Sequence, residues 1–275
     1  MKWEIKHSTR YEYASAVRDS FNDVRMTPVS NEQQTVKSFF LKVLPATRLQ
    51  RYSDFYANVV HHFEIPDDHT ALLIESSAIV ETTPLAPLSE NATVASGEAI
   101  TSEPSCFDFL QPSRYIDVAP GTWRLALDAT DGVTDLWQQS LAIMRFVYKH
   151  LVYESNSTRV HTHMSQVLEQ GRGVCQDFAH VMIGLCRCVK IPARYVSGYL
   201  ATEKASATHA WVEVYVPGIG WRALDPTNNR QTDTSYVKLG NGRDYHDVSP
   251  VTGYYKGTLE HKMQVEVKIQ PASTI

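Results

Sequence analysis

Pro84 and Pro87 stand three positions apart in the run Thr82-Thr83-Pro84-Leu85-Ala86-Pro87, and neither a helix interior nor a central strand passes through such a pair. The sequence changes character there. Before it come four runs rich in β-branched and aromatic residues: Trp3 to Tyr13, Val36 to Leu44, Phe55 to Ile65, and Leu72 to Glu81. No helical period interrupts them, so residues 1–85 are expected to form an antiparallel β-domain. The low-aromatic segment from Ser89 to Thr101 reads as the connection to a second unit, residues 86–275.

Beyond the connection the apolar residues Leu136, Trp137, Leu141, Met144, Val147, Tyr148 and Leu151 recur at three- and four-residue steps, which predicts a helix with one buried stripe. A second helix is expected from Cys175, carrying Phe178, Ala179, Met182, Ile183, Cys186 and Val189, and Pro192 closes it. Strand-like runs then return at Ala193 to Leu200, Ala210 to Val216, Trp221 to Leu224 and Met263 to Ile269. Helices followed by an antiparallel sheet give an α+β fold.

At 275 residues the chain has room for two units with their own cores. A net charge of −4 without any Lys/Arg run argues against nucleic acid, whose binding needs a concentrated basic surface. No stretch is apolar for long enough to span a bilayer or to serve as a signal peptide, so the expected location is the cytoplasm and no membrane partner is expected. The four cysteines, Cys106, Cys175, Cys186 and Cys188, are too few and too clustered for a disulfide framework and read as free thiols.

The segment Gly171-Arg172-Gly173-Val174-Cys175-Gln176-Asp177-Phe178-Ala179-His180 puts a cysteine where a glycine-containing turn enters a helix. Free N–H groups and the dipole at that end favour thiolate over thiol, and the same N–H groups suit the oxyanion formed when a thiolate adds to a carbonyl. Further on, Thr208-His209-Ala210-Trp211 opens a strand with histidine, and Pro217-Gly218-Ile219-Gly220 turns into Trp221-Arg222-Ala223-Leu224-Asp225. A hairpin brings the start of its first strand near the end of its second, so His209 and Asp225 can meet. Register decides whether they do. Pairing Val216 with Trp221 would leave Asp225 opposite Val212 and facing away from His209, whereas a three- or five-residue loop or a bulge puts Trp211 opposite Asp225 and His209 on the same face. An aspartate that fixes the imidazole and supports its cation completes a Cys-His-Asp set, Cys175, His209 and Asp225, in which chemistry requires the second register.

The blocks G-V-C-Q-D-F-A-H, I-P-A-R-Y-V-S-G-Y, H-A-W-V-E-V-Y-V-P-G-I-G-W-R-A-L-D-P-T and G-R-D-Y-H-D-V-S-P resemble the bacterial transglutaminase-like proteins, within the wider papain-like cysteine enzyme superfamily. The resemblance covers most of Gly171 to Pro250, and the strand-rich first part is similar to the β-domain that often precedes this core. It implies Cys175 as nucleophile, His209 as general base and acid, and Asp225 as the orienting carboxylate. It also implies a Cys-bearing helix packed on a sheet that carries the other two.

The resulting expectation is an enzyme acting on peptide or carboxamide bonds through a thioester: a cysteine protease or amidase if water accepts the acyl group, a transglutaminase if a primary amine does. Its partner is a protein or peptide substrate, and no cofactor or metal is called for. A non-catalytic peptide-binding module on the same fold is the rival from another class. A metallo-hydrolase built on His161 and His163 is a third reading, weakened by the lack of a third ligand at matching spacing. Cys106, Cys186 and Cys188 read as core packing, His180 as structural because it does not lie directly above Cys175 on the helix, and Asp177 as a cap. Trp211 and Trp221 fit either a shield over the His-Asp pair or ordinary packing.

Overall fold

The computed structural model describes residues 1–94, 103–201, 206–258 and 260–272; part of the Ser89–Thr101 connection lies outside these. Five strands come first: β1 (Lys2–Val24), β2 (Gln34–Leu44), β3 (Gln50–Ser53), β4 (Val59–Ile65) and β5 (His69–Thr82). There follow a 3₁₀ turn at Pro104–Leu110, α1 (Pro120–Ala129), α2 (Leu136–His150), β6 (Val152–Tyr153), α3 (Met164–Gln170), β7 (Arg172–Gly173) and α4 (Cys175–Cys188). The chain continues through β8 (Ala193–Ala201), β9 (Ser206–Val216), β10 (Gly220–Asp225), β11 (Arg230–Gln231) and β12 (Tyr236–Gly242) to α5 (Tyr245–Val248), β13 (Val251–Lys256) and β14 (His261–Pro271). The architecture is α+β.

In β1 the buried Trp3, Ile5, His7 and Thr9 alternate with more exposed neighbours, the period-two pattern of a strand with one covered face. The strand is long enough to serve two sets of partners. Residues from Lys2 to Glu12 pair with β5 and those from Trp3 to Tyr13 with β14, while Ser20 to Val24 pair with β4 and Phe21 to Val24 with β13. The last two strands, which sequence order groups with the second unit, are therefore hydrogen-bonded into the first sheet. Strand β4 also starts later than the apolar run at Phe55 suggests. Asp54 Oδ1 accepts from the N–H groups of Tyr56 and Asn58, and Ala57 has φ of 62°, so these residues form a side-chain-stabilised turn.

The second sheet runs β11-β10-β9-β8-β12, all antiparallel. Residues Ala210, Val212, Val214 and Val216 of β9 enter a core shared with α1, α2, α3 and α4. Asp135 caps α2 by accepting from Gln138 N at 3.0 Å, and the predicted stripe is buried except for Tyr148, which is 48% exposed. Helix α4 is buried from Gln176 to Cys188, its polar side chains Gln176, Asp177, His180 and Arg187 included. Its one buried cation, Arg187, donates to the carbonyls of Phe109, Gln111, Ala193 and Arg243. Elsewhere Trp3, Ile5 and Val80 of the first sheet pack with Tyr199, Val237 and Leu239 of the second, which ties the two sheets together. Among the described residues no helix is long and apolar enough to cross a membrane.

Candidate active site

Cys175 is the first residue of α4 and the only half-buried cysteine; Cys106, Cys186 and Cys188 are buried, and all four are free. The turn that presents it is fixed by Asp177. One carboxylate oxygen, Oδ2, accepts from Val174 N at 2.8 Å and from Thr158 Oγ1 at 2.6 Å, so the side chain caps the helix that it belongs to. Burial pushes the Asp177 carboxyl up from its ordinary range, against the pull of those two bonds. Gly173 leaves the space: a Cβ there would meet the Asp177 side chain at 2.6 Å.

The hairpin that carries the other two residues has the register in which they meet. Val216 pairs with Gly220 and Val212 with Leu224, so the loop is three residues long and the next position, Asp225, falls opposite Trp211. Gly218 at φ 74° and Gly220 at φ 91° supply the left-handed backbone that closes this short loop. His209 Nε2 donates to Asp225 Oδ2 at 2.7 Å. Cys175 lies close enough to the same imidazole to raise its pKa, and with Nε2 committed to the carboxylate, Nδ1 is the ring atom left to face the thiol. Burial alone would make His209 harder to protonate. The hydrogen bonds and charges of Asp225 and Cys175 outweigh it and lift its pKa to about 9.

Asp225 is fully buried and held from every side. Besides His209, Oδ2 accepts from Asn228 Nδ2 and from the Tyr236 hydroxyl, each at 2.7 Å, while Oδ1 accepts from the N–H groups of Thr227 and Asn228. Burial would raise the pKa of its carboxyl, but the donors win and hold it below the ordinary aspartate range. Tyr236 is oriented in turn by Arg230, whose Nε donates to its oxygen at 3.0 Å. The buried Trp211 ring lies parallel to His209 and edge-on to Tyr236, closing the pair off from water. Trp221 plays a different part: Arg194 stacks over its ring at 4.0 Å, away from the pair. Tyr153 and Tyr195 are close enough to Cys175 for a thiolate there to add to burial in raising their phenol pKa values.

Sequence reasoning did not find Asn228, Tyr236 or Arg230. Asn228 lies three residues past Asp225, the reach of an Asx-type turn, and that was a usable signal. Tyr236 opens a strand whose alternation, Val237-Lys238-Leu239, is too short to stand out. The other histidines are not gathered at the site. His161 Nδ1 bonds to the Tyr115 hydroxyl and His163 caps α3, and no group of three or more potential metal ligands occurs among the described residues. His180 is buried, its Nε2 accepting from Tyr245 N at 3.2 Å, and burial lowers its pKa to about 4.

A β-domain followed by a Cys-bearing helix against a hairpin that carries His and Asp is the arrangement of transglutaminase-like proteins, and the comparisons agree. Residues 124–226 match the transglutaminase-like superfamily core, and residues 3–81 match the bacterial transglutaminase-like N-terminal region. The chain belongs to this family. An uncharacterized protein of Mycobacterium leprae is 35% identical over 98% of each chain, and one of Mycobacterium tuberculosis is 30% identical over 98% of this chain and 93% of its own. A protein-glutamine gamma-glutamyltransferase of Pseudomonas aeruginosa is 38% identical, but over 20% of this chain and 10% of its own length. The fold is shared across its full length with a crystal structure from Cytophaga hutchinsonii solved as a "Putative Cysteine Protease", at a TM-score of 0.85, 24% identity and 92% coverage of that chain.

Proposed function

We propose that this protein is a cysteine-nucleophile hydrolase of peptide or carboxamide bonds, with Cys175, His209 and Asp225 as its catalytic residues. One observation carries the reading: the buried Asp225 carboxylate accepts from His209 Nε2 at 2.7 Å, and the half-buried Cys175 is close enough to the same imidazole to help raise its pKa. The thiolate of Cys175 adds to the substrate carbonyl, and the Cys175 N–H at the head of α4 is a donor for the oxyanion. When the tetrahedral adduct collapses, the C–N bond breaks, the departing nitrogen takes the proton from His209, and a thioester remains on Cys175. His209 then removes a proton from water as it attacks the thioester, and the thiol leaves with the proton returned.

Water is the acceptor in this reading because no sequence feature specifically builds a dry channel for an amine; the transglutaminase-like relatives keep aminolysis as the alternative. Four free thiols, three of them buried, suit a reducing compartment such as the cytoplasm. Iodoacetamide at neutral pH should label Cys175 selectively, read by peptide mass spectrometry, and peptide substrates should leave a trapped acyl adduct on the same residue. Absence of both would favour the peptide-binding module. A partition assay with a glutamine-containing peptide and a labelled primary amine separates hydrolase from transglutaminase: dominant amine incorporation at low millimolar amine overturns the hydrolase reading and leaves the thioester intact.

A further inference from the structure

A cavity of about 390 Å³ opens between the first sheet and the catalytic unit. Tyr11, Tyr13 and Tyr255 wall it from the sheet side, and Tyr115, His161 and Tyr245 from the other. Its chemistry is one-sided. The protein has more acidic than basic residues, yet no aspartate or glutamate lines this cavity, whereas Arg114, His161, His246 and His261 all do. Arg114 NH1 donates to His246 Nδ1 at 3.4 Å, and because a guanidinium only donates, Nδ1 is the acceptor and the imidazole proton sits on Nε2. The Tyr115 hydroxyl meets His161 Nδ1 at 3.0 Å, which holds that ring in the cavity wall. The rim thus presents N–H donors and positive charge over a floor of aromatic rings.

The cavity is mechanically joined to the helix of the candidate nucleophile. Tyr115 stacks on His180 of α4 at 5.6 Å, and Tyr245 donates its backbone N–H to the same histidine. Val160, at one end of the cavity, accepts at its carbonyl from Gln176 Nε2, the side chain next to Cys175. A peptide whose reacting carbonyl lies at Cys175 therefore has a donor-rich trough within reach along the 160–161 segment. From the charge balance of this lining and its link to Gln176, we infer that the cleft binds a carboxylate-bearing segment of a peptide substrate, held by Arg114 and His246. This rests on the peptide-hydrolase reading above. The volume suits more than one small anion, and tyrosine rings pack against the methylenes of a peptide chain while their hydroxyls bond its carbonyls.

Binding is tested on Cys175→Ala, which takes no part in chemistry, with fluorescein-labelled peptides. One is acetylated, amidated tetraglutamate, a second is the tetraglutamine counterpart, and a third is an acetylated tetraalanine with a free carboxyl terminus. At least one carboxylate peptide should bind tenfold or more tighter than tetraglutamine, and Arg114→Ala and His246→Ala should each remove most of that preference. Both side chains are exposed, so their thermal unfolding should match the parent's. The two carboxylate arms tell side-chain from terminal recognition. Equal binding of all three peptides, or a preference that survives both substitutions, overturns the inference. The nucleophile is judged separately, by alkylation of the wild-type protein, so either idea can fail alone.

Discussion

The Tyr236 hydroxyl and His209 Nε2 donate to the same oxygen of Asp225, each at 2.7 Å. The phenol therefore competes with the imidazole for one lone-pair region while helping to keep the carboxylate ionised. Tyr236→Phe removes one donor and keeps the ring against Trp211. A hydrogen bond to a charged group is worth roughly 1.5–3 kcal/mol, so the rate of amide hydrolysis should fall by about tenfold or more. Asp225 then pulls harder on the imidazolium, and the alkaline limb of the pH profile should move upward. A rate loss without that movement would mean that Tyr236 acts only through packing.

The pKa of His209 is raised to about 9, so its charged form is held through neutral pH and lost as pH rises through that value. If imidazolium donates the proton to the leaving nitrogen, kcat/KM should be sustained to about pH 9 and fall beyond it. Asp225→Asn removes the charge that lifts the histidine, and the alkaline limb should drop towards the ordinary histidine range. A limb that stays in place would remove His209 from the assignment.

Cys175→Ala should abolish hydrolysis. Asp225→Asn should lose roughly 10³–10⁴-fold, as when a triad aspartate is neutralised, and His209→Ala should lose at least as much because it touches the reacting atoms. Steady-state rates on one cleavable peptide amide decide the order, and a Cys175→Ala protein with wild-type rate would falsify the mechanism.

Glu213 forms a buried ion pair with Lys238 and Arg194, at 2.7 Å to each. Burial opposes its ionisation, but the two cations prevail and lower its pKa to about 2. A depressed carboxylate contributes stability that is present above its unfolded pKa, near 4.5, and is lost as pH falls towards 2. Thermal unfolding between pH 6 and pH 2.5 should therefore show a steep acid loss that Glu213→Gln, less stable at neutral pH by about 3–5 kcal/mol, largely lacks. Parallel curves for the two proteins would argue against the pair.

A Cβ at Gly198 would collide with the Trp211 ring and the Val237 carbonyl. Overpacking of this kind costs roughly 1–3 kcal/mol. Gly198→Ala should lower the melting temperature and, by tilting the ring that covers His209, reduce turnover more than substrate affinity. Scanning calorimetry and a kcat-against-KM comparison check the two halves.

The features legible in the sequence are those whose cause is local. The head of α4 is written in Gly173-Val174-Cys175, the hairpin in Pro217-Gly218-Ile219-Gly220, and strand parity allows His209 and Asp225 only two kinds of register. Which register holds depends on Gly218 and Gly220 both taking left-handed backbone, a choice that residue types permit without dictating. Arg230 comes opposite Asp225 through the short local pairing of β11 with β10, whereas Tyr236 reaches the site through β12 pairing with β8, a long-range contact with no mark in the nearby sequence. The same is true of β13 and β14. Alternation identified Met263 to Ile269 as a strand, but nothing in its own residues names β1 as the partner.

That partnership imposes an order on the making of the molecule. β1 emerges early in synthesis, and β5 can satisfy one of its edges soon afterwards, but the other edge waits for β13 and β14, which are translated only after the whole helical core. An unpaired edge is a template for a stranger's strand. Residues 1–85 released alone would keep that edge permanently open and should aggregate, whereas in the intact chain the distant strands act as an internal chaperone for the first one.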